Sequence, residues 1–145
     1  KMLNELLAFE LGVDLKHYVL NCFLEAEELL SNFSETKQGL IVNDAKRYIE
    51  QNYMDNTLSL SKIANALFVN SSYLSHLFKQ ESGSNLSDYL TRVRLDKAKR
   101  LLDDNQAQYS LSSIAGMVGY KDEYYFNKCF KKLYGISPKK YVEHK

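Results

Sequence analysis

Residues 59–68 read SLSKIANALF, and residues 110–119 read SLSSIAGMVG. Ser-Leu-Ser and Ile-Ala coincide at an offset of 51; farther on, YLSHLFK (73–79) matches YFNKCFK (125–131) and Gly83 matches Gly135 at an offset of 52. A chain that carries one segment twice is expected to fold as two copies of one supersecondary unit. The extra residue falls between Val118 and Asp122, opposite Leu67 to Asn70 in the first copy. A turn absorbs such an insertion without disturbing the register of a packed helix.

Each copy reads as helix, tight turn, helix. Ser59 and Ser110 stand as N-caps, ahead of Leu60, Ile63, Ala64 and Leu67 in one copy and Leu111, Ile114, Ala115 and Val118 in the other. Asn70 and Asp122 suit the caps of the second helices, where Leu74, Leu77 and Phe78, or Phe126, Cys129, Phe130 and Leu133, share a face. Tyr125, Phe126 and Phe130 are assigned to the core because they coincide with Tyr73, Leu74 and Phe78. Gly83 and Gly135 are placed to end these helices in the left-handed conformation. Ser137-Pro138 caps and starts a last helix, and Asn85 with Asp88 starts a long one from Leu86 to about Leu102. Leu90, Val93, Ala98 and Leu101 form its stripe, and its length is roughly 25 Å at about 1.5 Å per residue. Ile41, Ala45, Tyr48 and Ile49 mark one more helix before the first copy.

One proline and six glycines in 145 residues leave little room for the turns of an all-β fold. The expectation is an all-α protein: two helix-turn-helix subdomains joined by a long linker helix, preceded by an N-terminal helical segment. The boundaries follow as 1–36 for that segment and 38–145 for the double unit, divided into 38–84, the linker helix 85–104, and 105–145. Residues 1–36 carry two basic against seven acidic side chains, a net −5, whereas the remainder carries seventeen against eleven, a net +6. A basic module behind an acidic lead-in suits a polyanionic partner. No apolar run approaches the ~20 residues of a membrane span, nothing resembles a signal peptide, and the chain reads as cytoplasmic. It opens on Lys1 rather than Met, which suggests a fragment of a longer protein.

A helix-turn-helix seats its second helix on a supporting one and leaves the opposite face free to enter the major groove of DNA. In the first copy that face is expected to carry Ser71, Ser72, Ser75, His76 and Lys79; in the second, Glu123, Tyr124, Asn127, Lys128 and Lys131. Asn pairs with adenine through two hydrogen bonds, Lys donates to guanine, and Ser donates or accepts. His76 reads equally as a base reader or as a surface histidine. Lys79 and Lys131, farther along, suit phosphates, as do Ser59, Ser71 and Ser110 near helix starts. Arg92, Arg94, Lys97, Lys99 and Arg100 crowd the linker helix, either as a solvated basic face or as phosphate contacts.

These residues carry a resemblance. SLSKIANALFVNSSYLSHLFKQESG, YLTRVRLDKAKRLL and SLSSIAGMVGYKDEYYFNKCFKKLYGISPKKY together resemble the DNA-binding domain of the AraC/XylS family of bacterial transcription regulators. The stretch Gly119 to Pro138 is the most specific part, and the wording is most similar to the response-regulator subgroup of two-component systems. The resemblance implies two helix-turn-helix subdomains, reading helices on residues 71–81 and 123–133, and double-stranded DNA as partner. It implies base readers at Ser72, Ser75, His76, Tyr124, Asn127 and Lys128, and RNA polymerase as a further partner of an activator. Glu123 departs from a comfortable DNA contact and is assigned to its helix dipole.

Other classes are weighed against it. An alkylation-repair regulator would need clustered cysteines, whereas Cys22 and Cys129 are far apart and read as small buried hydrophobes. Catalysis is not expected, since no triad, carboxylate pair or phosphate loop occurs. His17 and His144 lack partners at metal-ligand spacing, so neither a metal nor a cofactor is expected. A helix-turn-helix pair kept for protein contact is the remaining alternative. Ahead of the double unit, Leu15, Val19, Cys22, Ala26, Leu29 and Phe33 follow the 3.5-residue spacing of a coiled-coil seam, widened by Tyr18 and Leu30. Gly12-Val13-Asp14 is expected to separate that helix from an earlier apolar piece, Leu3 to Leu11. It suits a homodimer contact through residues 15–33, or packing on an upstream sensory, dimerisation or receiver module.

Overall fold

The computed structural model describes the backbone of residues 2–104 and 109–143, and the side chains of 19–33, 37–104 and 109–143. Its elements are all helical: α1 Met2–Asn52, α2 Leu60–Ala66, α3 Ser71–Ser82, α4 Leu86–Asp103, α5 Leu111–Met117, α6 Glu123–Tyr134 and α7 Pro138–Glu143. The chain divides into two compact parts, Lys1–Gly39 and Leu40–Lys145. No helix among the described residues is long and apolar enough to cross a membrane.

The two copies share their local chemistry. Ser59 Oγ accepts from the Lys62 amide at 3.3 Å and Ser110 Oγ from the Ser113 amide at 3.1 Å, so both leading helices are capped alike. In the turn, the Phe68 and Val69 amides donate to Asn65 and Ala64 carbonyls at 3.2 and 3.0 Å. The Gly119 and Tyr120 amides repeat the pattern on Gly116 and Ala115 at 3.1 and 2.9 Å. Gly83 and Gly135 end α3 and α6 in the left-handed conformation, as the spacing predicts.

The Leu40–Lys145 part holds two cores. Val42, Ala45, Ile49, Ile63, Leu74, Leu77, Phe78, Leu86 and Leu90 build the first; Leu95, Ala98, Leu102, Ile114, Val118, Phe126 and Phe130 build the second. Helix α4 serves both. Its first half turns Leu86 and Leu90 into one core and its second half turns Leu95, Ala98 and Leu102 into the other. The expected stripe is therefore shifted: Val93 and Leu101 are only half-buried, because one helix with two cores needs two faces rather than one. Tyr53 packs against both clusters.

Four expectations are corrected. First, α1 runs without a break through Gly12-Val13-Asp14 and on to Asn52. A single glycine costs a helix only about 1 kcal/mol, and the segment has no proline to stop it. Second, Cys22 is exposed, together with Val19, Leu20, Phe23, Leu24, Leu29, Leu30 and Phe33 of the same segment; Leu15, His17, Tyr18 and His144 have side chains outside the described residues. Third, Tyr73 and Tyr125 are 43% and 57% exposed. Repetition of an aromatic in both copies marks an equivalent position, which here is a surface one. Fourth, Leu133 is 40% exposed, so Phe126 and Phe130 seat α6 without it.

The turn positions carry unequal strain. Phe68 has φ +55 and Gly119, its counterpart, φ +89. A left-handed backbone costs an L residue roughly 1–2 kcal/mol, and Asn much less; Phe68 is 95% exposed, so no packing offsets the cost. Thermal and denaturant melts should show Phe68→Asn more stable by about 0.5–1 kcal/mol. Gly119→Ala should lose about 2 kcal/mol or more, because strain combines with collision: an added Cβ would lie 2.3 Å from the Tyr53 carbonyl oxygen.

Candidate nucleic-acid interface

Helices α3 and α6 are each twelve residues long and begin alike. Asn70 Oδ1 accepts from the Ser72 and Tyr73 amides at 2.8 and 3.3 Å. Asp122 does the same for Tyr124 and Tyr125, through Oδ1 at 2.9 Å and Oδ2 at 3.3 Å. These caps define the first turn of each helix and hence where its outer residues point.

Seating by Leu74, Leu77 and Phe78 in one copy, and by Phe126 and Phe130 in the other, selects the outward stripes. On α3 the exposed residues are Ser72, Tyr73, His76, Lys79, Gln80 and Glu81; on α6 they are Tyr124, Tyr125, Lys128, Lys131, Lys132 and Leu133. Tyr124 is 77% exposed. Of the residues singled out from sequence, Ser72, His76, Lys79, Tyr124, Lys128 and Lys131 lie on these stripes. Ser71, Ser75, Glu123 and Asn127 are half-buried at their margins. Ser59 and Ser110 are exposed, though each Oγ already accepts an amide of its own helix.

Asn127 departs from the expected outward placement. Its Oδ1 is enclosed and has no hydrogen-bond partner. A carboxamide pairs with adenine by offering both oxygen and nitrogen, so the side chain must rotate to do so. A buried carbonyl without a partner is costly, which favours that rotation once an acceptor and donor arrive. The stripes also hold six residues outside the expected reading set: Tyr73, Gln80 and Glu81 on α3, and Tyr125, Lys132 and Leu133 on α6. The repeat itself was the available signal, since 73 matches 125 and 80 matches 132.

The linker helix decides how the two stripes relate. Arg94 Nε donates to the Tyr53 carbonyl at 2.9 Å and Nη2 to the Asp55 carbonyl at 2.8 Å, both just after α1. Its guanidinium also lies 5.6 Å from the Tyr120 ring centroid, in the turn between α5 and α6. One side chain thus ties the end of α1, the middle of α4 and the turn of the second unit. Partial burial lowers its pKa somewhat, opposed by Tyr120 and Asp55, and it remains a cation. The Asp55 carboxyl is held at about 2 by the Thr57 hydroxyl and amide and by Lys62. Lys97 lies over the Tyr53 ring and Lys99 over Tyr134 and Tyr141. Tyr134 donates to Asp96 at 2.6 Å and Tyr141 to Asp103 at 2.8 Å, fastening α6 and α7 to α4.

Residues 63–144 match the family model described as a helix-turn-helix domain. The raffinose operon transcriptional regulatory protein RafR of Pediococcus pentosaceus is 37% identical over 99 residues, covering 68% of this chain and 35% of RafR. The C-terminal domain of AraT, a response regulator from Geobacillus stearothermophilus, is 36% identical with a TM-score of 0.69, covering 72% of this chain and 85% of that one. The C-terminal domain of the two-component response regulator yesN from Fusobacterium nucleatum is 38% identical with a TM-score of 0.64, covering 74% and 98%. The first curated relatives matched are covered over only 33% to 48% of their length.

If Arg94 is the tie between the two units, calorimetry of Arg94→Ala should show the single melt broaden or split into two transitions, with a loss of about 2–3 kcal/mol. Arg94→Lys should recover little, because an ammonium cannot reproduce the planar two-carbonyl contact and ring stacking. An unchanged single transition in Arg94→Ala would remove the tie.

Proposed function

The chain belongs to the AraC/XylS family of helix-turn-helix transcription regulators, and from that membership we propose how it reads double-stranded DNA. Helices α3 and α6 enter two successive major-groove segments, placing Ser72, Ser75 and His76 on one and Tyr124, Asn127 and Lys128 on the other. Tyr73 and Tyr125, equivalent and exposed, join them through their hydroxyl and ring edges. Lys79 and Lys131, with Ser59, Ser71 and Ser110, take phosphates and set register rather than sequence. One observation carries the reading. Positions 72/124, 76/128 and 79/131 are exposed on both helices, at matched distances from matched caps.

The two stripes keep Tyr73/Tyr125 and Lys79/Lys131 in common but differ in chemistry at the other matched positions. Ser72 faces Tyr124 and His76 faces Lys128 in the repeat, so the DNA site is asymmetric and one chain reads both halves. An exposed lysine and tyrosine stripe suits DNA better than a protein surface, and the relatives are transcription regulators rather than enzymes. Residues 38–145 are the reading module, with 1–36 leading from an upstream sensory, dimerisation or receiver module. An activator working in the cytoplasm through RNA polymerase fits this arrangement.

Val19, Cys22, Ala26, Leu29 and Phe33 are exposed at seam spacing, which supports pairing of two chains through this segment. Sedimentation of the chain should then show dimer at micromolar concentration, abolished by Leu29→Glu with Phe33→Glu. A monomer at every concentration sinks the pairing.

For the reading itself, duplexes selected from random sequence provide the probe. His76→Ala and Lys128→Ala should relax base preference in separate halves of the site, each by about 1–3 kcal/mol. Lys131→Ala should weaken all sequences alike and flatten the salt slope by about one. Equal losses on selected and random DNA for all three variants would contradict this division of roles.

A further inference from the structure

An open cleft of about 510 Å³ lies between the two helix-turn-helix units. One wall is the end of α3 and the start of α4, with Ser82, Gly83, Ser84, Thr91 and Arg92; the other is α6, with Tyr125, Cys129, Lys132 and Leu133. Two of the α6 residues, Tyr125 and Lys132, belong to the outward stripe that also holds Tyr124 and Lys128. The cleft therefore opens beside the proposed reading face of the second unit and against the C-terminal end of the first unit's reading helix.

The five basic residues of the linker helix separate by what they touch. Arg94 is committed to two carbonyls and the Tyr120 ring, and Lys97 and Lys99 lie over tyrosines. Arg92 and Arg100 are exposed, and of the five only Arg92 lines the cleft. The acidic group one turn along, Asp96, already accepts from the Tyr134 hydroxyl at 2.6 Å. Asp88, which also lines the cleft, has its Oδ2 occupied by the Asn85 amide nitrogen at 2.7 Å. Arg92 on one wall and Lys132 on the other are thus left as the cations of a polar cleft, with Thr91 as a neutral hydroxyl donor.

We infer that this cleft receives the DNA phosphodiester backbone between the two groove segments, held by Arg92 from α4 and Lys132 from α6. The inference rests on the proposed reading of DNA by α3 and α6. A duplex engaged by both helices must carry its backbone past the space between them, and guanidinium and ammonium on facing walls match a phosphate in charge and hydrogen-bonding capacity. The contact carries no base information directly; it fixes the separation of the two half-sites and adds to the salt dependence.

The test uses the whole chain and a selected duplex, comparing wild type with Arg92→Ala, Lys132→Ala and the double variant. Both positions are exposed, so melting temperatures should be unchanged. Each single variant should weaken binding severalfold, reduce the slope of log K against log salt by about 0.9, and leave base preference intact. Methylphosphonate linkages placed between the half-sites should weaken the wild type similarly and leave the double variant unaffected. If wild type binds selected DNA yet both variants keep its affinity and slope, the inference fails while the reading by α3 and α6 stands. If wild type shows no preference for any duplex, the underlying reading fails first. Inorganic phosphate titrated by NMR separates the remaining source: binding lost with the variants while their DNA slope is unchanged overturns the DNA assignment in favour of a free anion.

Discussion

Arg94 sits where the segment after α1, the middle of α4 and the turn of the second unit meet. Two cores joined by a helix could turn about each other, because their buried residues are separate sets and only the partly buried Tyr53 is common to both. The guanidinium removes that freedom by binding the chain after α1 from below the second unit's turn. Gly119 makes the approach possible, since any Cβ there would press on the Tyr53 carbonyl and on Arg94 itself. Tyr53 completes the junction by packing on both cores and lying under Lys97. Planarity matters here: two carbonyl acceptors and one aromatic face are satisfied by a single flat cation.

The tie turns two generic units into one reading device. Each unit supplies a capped helix with a seated face and a free stripe, which alone would contact a few base pairs. Helix α4, 18 residues and so about 27 Å long, spans from one core to the other. Successive major-groove segments recur at about 34 Å along B-DNA, a span that a rod of this length with outward-set helices can match. The duplicated scaffold conserves geometry while several exposed positions diverge, with Ser72, His76 and Gln80 against Tyr124, Lys128 and Lys132. On the proposed reading, this divergence would give an asymmetric site read by one chain.

Much of this was legible in the residues. Caps at Ser59, Asn70, Asn85, Ser110 and Asp122 depend on short-range hydrogen bonds, and such local rules are visible in local sequence. The left-handed ends at Gly83 and Gly135 follow for the same reason. Errors gathered where the outcome depends on distant partners. Tyr73 and Tyr125 read as core because the aromatic recurs in both copies, but each side chain stays largely exposed, Tyr125 even with the Tyr120 ring 6.0 Å away. Asn127 read as outward, yet the fold encloses its oxygen at the margin of the seated face. Arg94 was one of five similar cations on a helix. Only the approach of Tyr53 and Tyr120, 41 and 26 positions away in numbering, distinguishes it. Continuity of α1 through Gly12 shows the weak side of glycine as punctuation: it lowers helix stability without ending a helix.

Rigid coupling of two reading helices makes half-site spacing the most direct quantity to vary. Insertion of five base pairs between the halves of a selected site rotates one half by about half a turn of the duplex. Affinity should then fall at least about tenfold, to that of a single half-site, and insertion of ten base pairs should not restore it, because one chain cannot lengthen. Retention of full affinity with the five-pair insertion would contradict two helices held in fixed relation on one face.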